Sequence, residues 1–182
     1  DPFLRLPWPR VVFLIRDPLD VIVSAYYHRR HRERYLKGEA SEFRLPEATT
    51  LEGFAMDVMG RGGLATYVSF LNAWVPAALA HRDSVMLVTY EALRACPQRV
   101  LARVLNGFLG LSVPCQALRL AVRSSSLGRL QAASRTAGVD DALRSGRQGS
   151  EEASKFRRGE AFAAHEELSG AALWRARQAL RA

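Results

Sequence analysis

Cysteine is scarce: Cys96 and Cys115 are the only two in 182 residues. They share no metal-ligand or redox spacing with each other or with histidine, so free thiols in a reducing, cytoplasmic compartment are expected. Of the four histidines, only His28 and His31 are close together. They lack the carboxylate or cysteine partners a metal site needs, so none is expected. No apolar run approaches the roughly 20 residues of a bilayer span, and the start carries no signal-like pattern. Lysine is nearly absent as well. Only Lys37 and Lys155 occur, so arginine carries the net charge of +8. That charge favours anionic partners, yet an arginine bias can equally follow from a GC-rich genome and decides little. A Walker loop and a dinucleotide fingerprint are both missing; Gly60-Arg61-Gly62-Gly63 is too short for either and reads as a flexible turn.

What remains is a globular composition, 48% hydrophobic and 24% charged, long enough for one domain with a substantial core. The chain opens on Asp1-Pro2-Phe3-Leu4 rather than Met and reads as a fragment of a longer protein.

The informative stretch is Val11 to His28. Val11–Ile15 is a short β-branched apolar run, the pattern of a parallel strand covered on both faces. Asp17 is placed to cap the following helix, Pro18 suits its first position, and Asp20 stands where a capping partner belongs. The joint thus lies at the carboxyl end of a strand and the amino end of a helix. There α/β sheets bind anions, using unpaired backbone N–H groups and the helix dipole. Arg16 adds a cation at the mouth and Ser24 a hydroxyl two turns along. The basic run His28-Arg29-Arg30-His31-Arg32-Glu33-Arg34 reads as a solvated last turn complementing the dipole.

Further along, residues 35–50 read as a loop. Thr49 and Glu52 resemble a capping box for a helix carrying Leu51, Phe54, Ala55 and Val58. Residues 64–80 predict a helix with Tyr67, Phe70, Leu71, Trp74 and Val75 on one core-facing side, bent or broken at Pro76. Ser84–Thr89 predicts a second buried strand, with Tyr90 at its carboxyl end. Pro97 opens a helix running towards Gly110, and residues 114–123 form another. Residues 134–155 lack apolar periodicity and read as a mobile loop. Ser169 caps a last helix, docked through Leu173, Trp174 and Leu180.

Arg16, Asp17, Pro18, Asp20, Ser24 and His28 spell R-D-P-x-D-x-x-x-S-x-x-x-H. This resembles the 3′-phosphate-binding segment of sulfotransferases, and the strand before it and Tyr26-Tyr27 after it resemble the cytosolic branch. These enzymes move a sulfuryl group from 3′-phosphoadenosine 5′-phosphosulfate (PAPS) to an acceptor hydroxyl or amine. The resemblance implies that Arg16 and Ser24 hold the donor's 3′-phosphate. Tyr90-Glu91-Ala92-Leu93 resembles the family's Y-E-D-L segment, whose Tyr lies against adenine. Ser125, Ser126, Leu127 and Leu130 resemble T-S-F-x-x-M, which flanks adenine; Leu127 stands in place of the aromatic. Phe108-Leu109-Gly110-Leu111 matches the family's F-L-G-x helix stop. Phe156-Arg157-Arg158-Gly159 resembles the F-x-R-K-G loop over the 3′-phosphate and implies roles for Arg157, Arg158 and Gly159. The Gly-Asp-Trp-Lys that commonly follows is replaced by Ala161-Phe162-Ala163-Ala164-His165.

The implied fold is α/β, a three-layer P-loop-NTPase-like domain over residues 1–182, with a parallel central sheet flanked by helices. The family's first strand and its phosphosulfate loop, P-K-S/T-G-T-T-W/L-like, do not occur in these residues, nor does the catalytic His that follows that loop. The catalytic Lys and His are expected upstream of Asp1, and the 182 residues alone are expected to be inactive. The implied partners are PAPS, without a metal, and a small-molecule, glycan or lipid acceptor; no nucleic acid or membrane span is expected. Two other readings remain: a non-catalytic nucleotide- or RNA-binding protein using its basic loops, and a relative of nucleoside-phosphate kinases. The first lacks aromatic and basic residues interleaved on a sheet face, the second a Walker sequence.

Overall fold

The computed structural model describes residues 10–33, 45–134 and 161–180. Arg157, Arg158, Gly159 and nearly all of 134–155 lie outside the described residues. Strands β1 (Val11–Ile15) and β2 (Val85–Thr89) pair in parallel, with Val11 opposite Val85 and Ile15 opposite Thr89. The parallel register brings the residues after both strands, Arg16 and Tyr90, to the same edge.

Helices α1 (Pro18–Tyr27), α2 (Leu51–Gly60) and α3 (Gly63–Ala80) precede β2. After it come α4 (Tyr90–Ala95), α5 (Pro97–Ala102), α6 (Cys115–Ser124), α7 (Leu127–Ser134), α8 (Ala164–Glu167) and α9 (Gly170–Ala179). A π-helical turn continues α1 over His28–Glu33, and another continues α5 over Arg103–Phe108.

Helices lie on both sides of the sheet. On one side Phe13 meets Phe70 and Trp74 of α3, each at 5.6 Å between ring centroids. On the other, Met86 and Val88 pack with Leu93, Val100, Val104 and Phe108. Among the described residues β1 is not covered on both faces, contrary to what its apolar run suggests. Side chains alternate along a strand, and β1 carries Phe13 inward while Leu14 is 53% exposed. The helices covering Met86 and Val88 stop at β2.

The main core is helical. Leu19, Ile22, Val23 and Tyr26 of α1 meet Phe54 and Ala55 of α2, Leu64 of α3, and Ala172 and Ala176 of α9. The last helix docks through Ala172 and Ala176, which allow close approach, with Leu173 half-buried against the core as expected; Trp174, 62% exposed, and Leu180 stay in solvent, contrary to the sequence expectation. The aromatic stripe of α3 is likewise only partly core, since Phe70 is exposed. Pro76 does not break α3, which continues to Ala80. By length and composition alone α3 would suffice to cross a membrane, a property that no run of purely apolar letters signals; here it packs against α1, α2, α9 and β2.

The cap of α2 is Thr50, not Thr49: its hydroxyl accepts from the Gly53 N–H at 3.1 Å. Glu52 does not reach back to the cap. It accepts from the Ser169 hydroxyl at 2.6 Å and from its N–H at 3.3 Å, joining the starts of α2 and α9. Ser169 caps α9 as expected, accepting from Ala172 N–H. The turn between α2 and α3 owes its glycines to geometry rather than flexibility. Gly62 has φ +76°, and a Cβ on Gly63 would stand 2.8 Å from Val58 Cγ1.

One residue other than glycine adopts positive φ among the described residues, Phe162 at +63°. Its ring is 53% exposed, so a side chain occupies a left-handed position with little packing in return. A left-handed conformation costs an L-residue roughly 1–2 kcal/mol, part of which glycine's greater unfolded-state freedom offsets. Phe162→Gly is therefore expected to stabilise the chain by about 0.5–1 kcal/mol, a rise in Tm of about 1–4 °C. Thermal unfolding followed by circular dichroism checks this; a fall in Tm would mean that the ring contributes packing not visible at this site.

Candidate functional site

The site is the edge where β1 and β2 end. Asp17 caps α1 in the expected way: its Oδ1 accepts from the N–H groups of Leu19 at 2.9 Å and Asp20 at 3.0 Å. The Val21 N–H donates to the Asp17 carbonyl, and the Asp17 N–H donates to Glu91 Oε1 at 3.0 Å. Pro18 has no N–H. Every backbone donor from Asp17 to Val21 thus already has a protein acceptor. The sequence expectation that unpaired amides of this helix end would bind an anion is corrected here, and only the dipole and the side chains remain to attract one.

Arg16 is that side chain. Its guanidinium carbon lies 4.3 Å from the Tyr90 ring centroid, a cation–π contact. Its Nη2 is 3.4 Å from Asp20 Oδ2. Its Nε is buried and has no hydrogen-bond partner among the described residues. Buried polar atoms are nearly always paired, so an orphaned guanidinium N–H marks a place for an acceptor. The Arg16 carbonyl is itself held, accepting from the Tyr67 hydroxyl at 3.0 Å. Tyr67 thus ties α3 to the joint.

Asp20 is not the capping partner its position suggests. It is 1% exposed. Its Oδ2 accepts from Phe162 N–H at 2.8 Å and its Oδ1 from Ala164 N–H at 3.0 Å. A buried carboxylate is costly unless it is hydrogen-bonded, and here both oxygens are. Ser24 lies one turn beyond Asp20 on the same face of α1 and is exposed.

Arg16 and Tyr90 are therefore brought together, with Ser24 on the helix they flank. Ser125 and Leu127 are not joined to them. They lie at the α6–α7 turn, Ser125 exposed and Leu127 half-buried. No hydrogen bond, ion pair or ring contact connects either with Arg16 among the described residues. Sequence reasoning missed the parts played by Glu91, Tyr67 and Asp20. Asp20 left one signal: it sits between Leu19 and Ile22-Val23, the apolar stripe of α1, where an acid must find partners indoors.

Comparison with known proteins bears on the whole chain. The family model for the sulfotransferase domain matches residues 4–180. Human sulfotransferase 2A1 is 24% identical over 117 residues, 64% of this chain and 37% of that protein. Two crystal structures of retinol dehydratase, one with androsterone and inactive cofactor PAP and the other with retinol and PAP, superpose with a TM-score of 0.67. They are 18% identical to this chain and match 94% of it and 46% of their own length, which shows the fold. The chain spans less than half of each of these relatives. With a parallel β1–β2 pair, helices on both of its faces and a match along almost all its length, this chain belongs to the sulfotransferase domain family.

Proposed function

We propose that these 182 residues are the nucleotide-holding part of a PAPS-dependent sulfotransferase, forming one incomplete domain. Arg16 and Ser24 bind the donor's 3′-phosphate, and Tyr90 lies beside its adenosine. The observation that carries the reading is the Arg16 guanidinium, anchored on Tyr90 and Asp20 with a buried Nε left for an acceptor. A phosphate fits that donor set: it is anionic, has several acceptor oxygens, and pairs with a guanidinium fork. Arg157, Arg158 and Gly159 belong to the same proposal through their sequence alone, since they directly precede the turn that Asp20 holds. Ser125 and Leu127 are the weaker members, proposed only as a distant flank of the adenine.

PAPS would supply an activated sulfuryl group whose transfer breaks its S–O bond to the 5′-phosphate. Within these residues nothing matches the family loop that neutralises that leaving group, and no matching base takes the acceptor's proton. The proposed share of this stretch is binding and orientation. The acceptor proposed is a small alcohol, since retinol dehydratase was crystallised with androsterone and with retinol. The two exposed free cysteines suit a cytoplasmic setting.

Calorimetric titration with adenosine 3′,5′-bisphosphate and with adenosine 5′-monophosphate tests the reading. The bisphosphate is expected to bind at least about tenfold more tightly, one charge-assisted contact's worth. Equal affinities would reject it. Sulfuryl transfer from PAPS is expected to be undetectable for this chain; turnover would show that the catalytic groups lie within it after all. Tight binding of long polyanions with steep salt dependence and no nucleotide preference would favour the RNA-binding alternative.

A further inference from the structure

We infer that Asp20 is a positioning residue, which sets the Arg16 guanidinium for its anion from a carboxylate fixed by the Phe162–Ala164 turn. This rests on the donor-binding reading above. A buried negative charge beside an anion site weakens that site's attraction, so its presence needs a reason in geometry. The three contacts of the carboxylate supply one. The backbone bonds to Phe162 and Ala164 are the short ones, at 2.8 and 3.0 Å, whereas Arg16 Nη2 stands at 3.4 Å. The two amides come from a turn more than 140 positions away in sequence and lock both oxygens. The fixed Oδ2 then draws the Nη2 edge of Arg16 to one side. With the guanidinium face resting on Tyr90, the orphaned Nε edge has one orientation left. Neither contact alone would define it, because a ring face permits rotation and a single point contact permits swinging.

Asp20→Asn keeps the shape but replaces one acceptor oxygen by an NH2 donor. Whichever way the amide turns, a donor faces a donor, at Arg16 and Phe162 or at Ala164. Affinity for adenosine 3′,5′-bisphosphate is expected to fall about tenfold in the otherwise unchanged chain, the size of one misdirected hydrogen bond. In an Arg16→Ala background the same substitution is expected to change affinity less than about twofold, because Asp20 acts through Arg16. An equal fall in both backgrounds would make Asp20 merely structural, and a gain in affinity would make its charge, not its geometry, the dominant effect. Either result overturns the inference.

A second measurement leaves Asp20 intact and needs no nucleotide. Arg16→Ala is expected to speed amide exchange at Phe162 and Ala164 at least about fivefold relative to Ala176, since the carboxylate loses a partner and the turn loosens. Unchanged exchange would overturn the inference even if Asp20→Asn fails to fold. Faster exchange without any bisphosphate binding by the parent chain would instead leave the coupling standing and reject the donor-binding reading.

Discussion

Arg16→Ala is expected to weaken adenosine 3′,5′-bisphosphate binding by about 2–4 kcal/mol, roughly 30- to 1000-fold. A charge-assisted hydrogen bond contributes about 1.5–3 kcal/mol, and a guanidinium presents two parallel donors to a phosphate. The neighbouring backbone cannot substitute. The α1 amides are occupied by Asp17 and Glu91, so no backbone donor from Asp17 to Val21 is released to the ligand when the side chain goes. Ser24 would be left as an exposed neutral hydroxyl one turn beyond Asp20 on α1. Arg16→Lys is the informative companion. It keeps the charge but not the fork or the stacking on Tyr90, and should lie between the parent and the alanine variant. Titration calorimetry reads both, with thermal unfolding to verify that each variant is folded. Unchanged affinity in the alanine variant would remove Arg16 from the site.

Leu64→Ala is expected to produce the largest loss of stability, about 3 kcal/mol, within the 2–5 kcal/mol usual for a buried leucine. Leu64 is 1% exposed and stands where α1, α2, α3 and α9 meet, beside the Gly62–Gly63 turn that fixes the start of α3. The glycines leave that end of the helix little freedom to move inward, so most of the cavity should persist. Leu14→Ala, on the open face of β1, should cost less than about 1 kcal/mol because roughly half of Leu14, 53%, is already in water. Urea denaturation compares the two; similar losses would mean that the open face of β1 is covered in solution.

The strand-turn-helix joint was legible because each of its parts depends on neighbours a few positions away. A β-branched run favours a strand, Asp17 reaches amides two and three residues on, and Pro18 suits a first turn. The Ser169 cap was readable for the same reason. Thr49 and Glu52 misled, although their spacing is that of a capping box. The adjacent Thr50 was equally suited to cap, and Glu52 found a partner 117 positions away. Trp174 misled differently: its size suggested a docking side chain, whereas α9 packs on α2 and α3 through Ala172 and Ala176, with Leu173 half-buried beside them, and leaves Trp174 in solvent.

The family, the two strands, the joint that ends β1 and the arginine beside it could all be read from the residues, because motif spacing, caps and periodicity are local properties. Long-range packing set the rest: Arg16 rests on Tyr90, Glu91 takes the Asp17 amide, and Asp20 serves a distant turn instead of its own helix. Those contacts join residues 74 to 144 positions apart. They follow from the parallel register of β1 and β2 and from the way α8 packs on α1. A donor's nearest suitable acceptor in sequence need not be its nearest in space. Here the half-buried end of the sheet made the long-range partners the available ones.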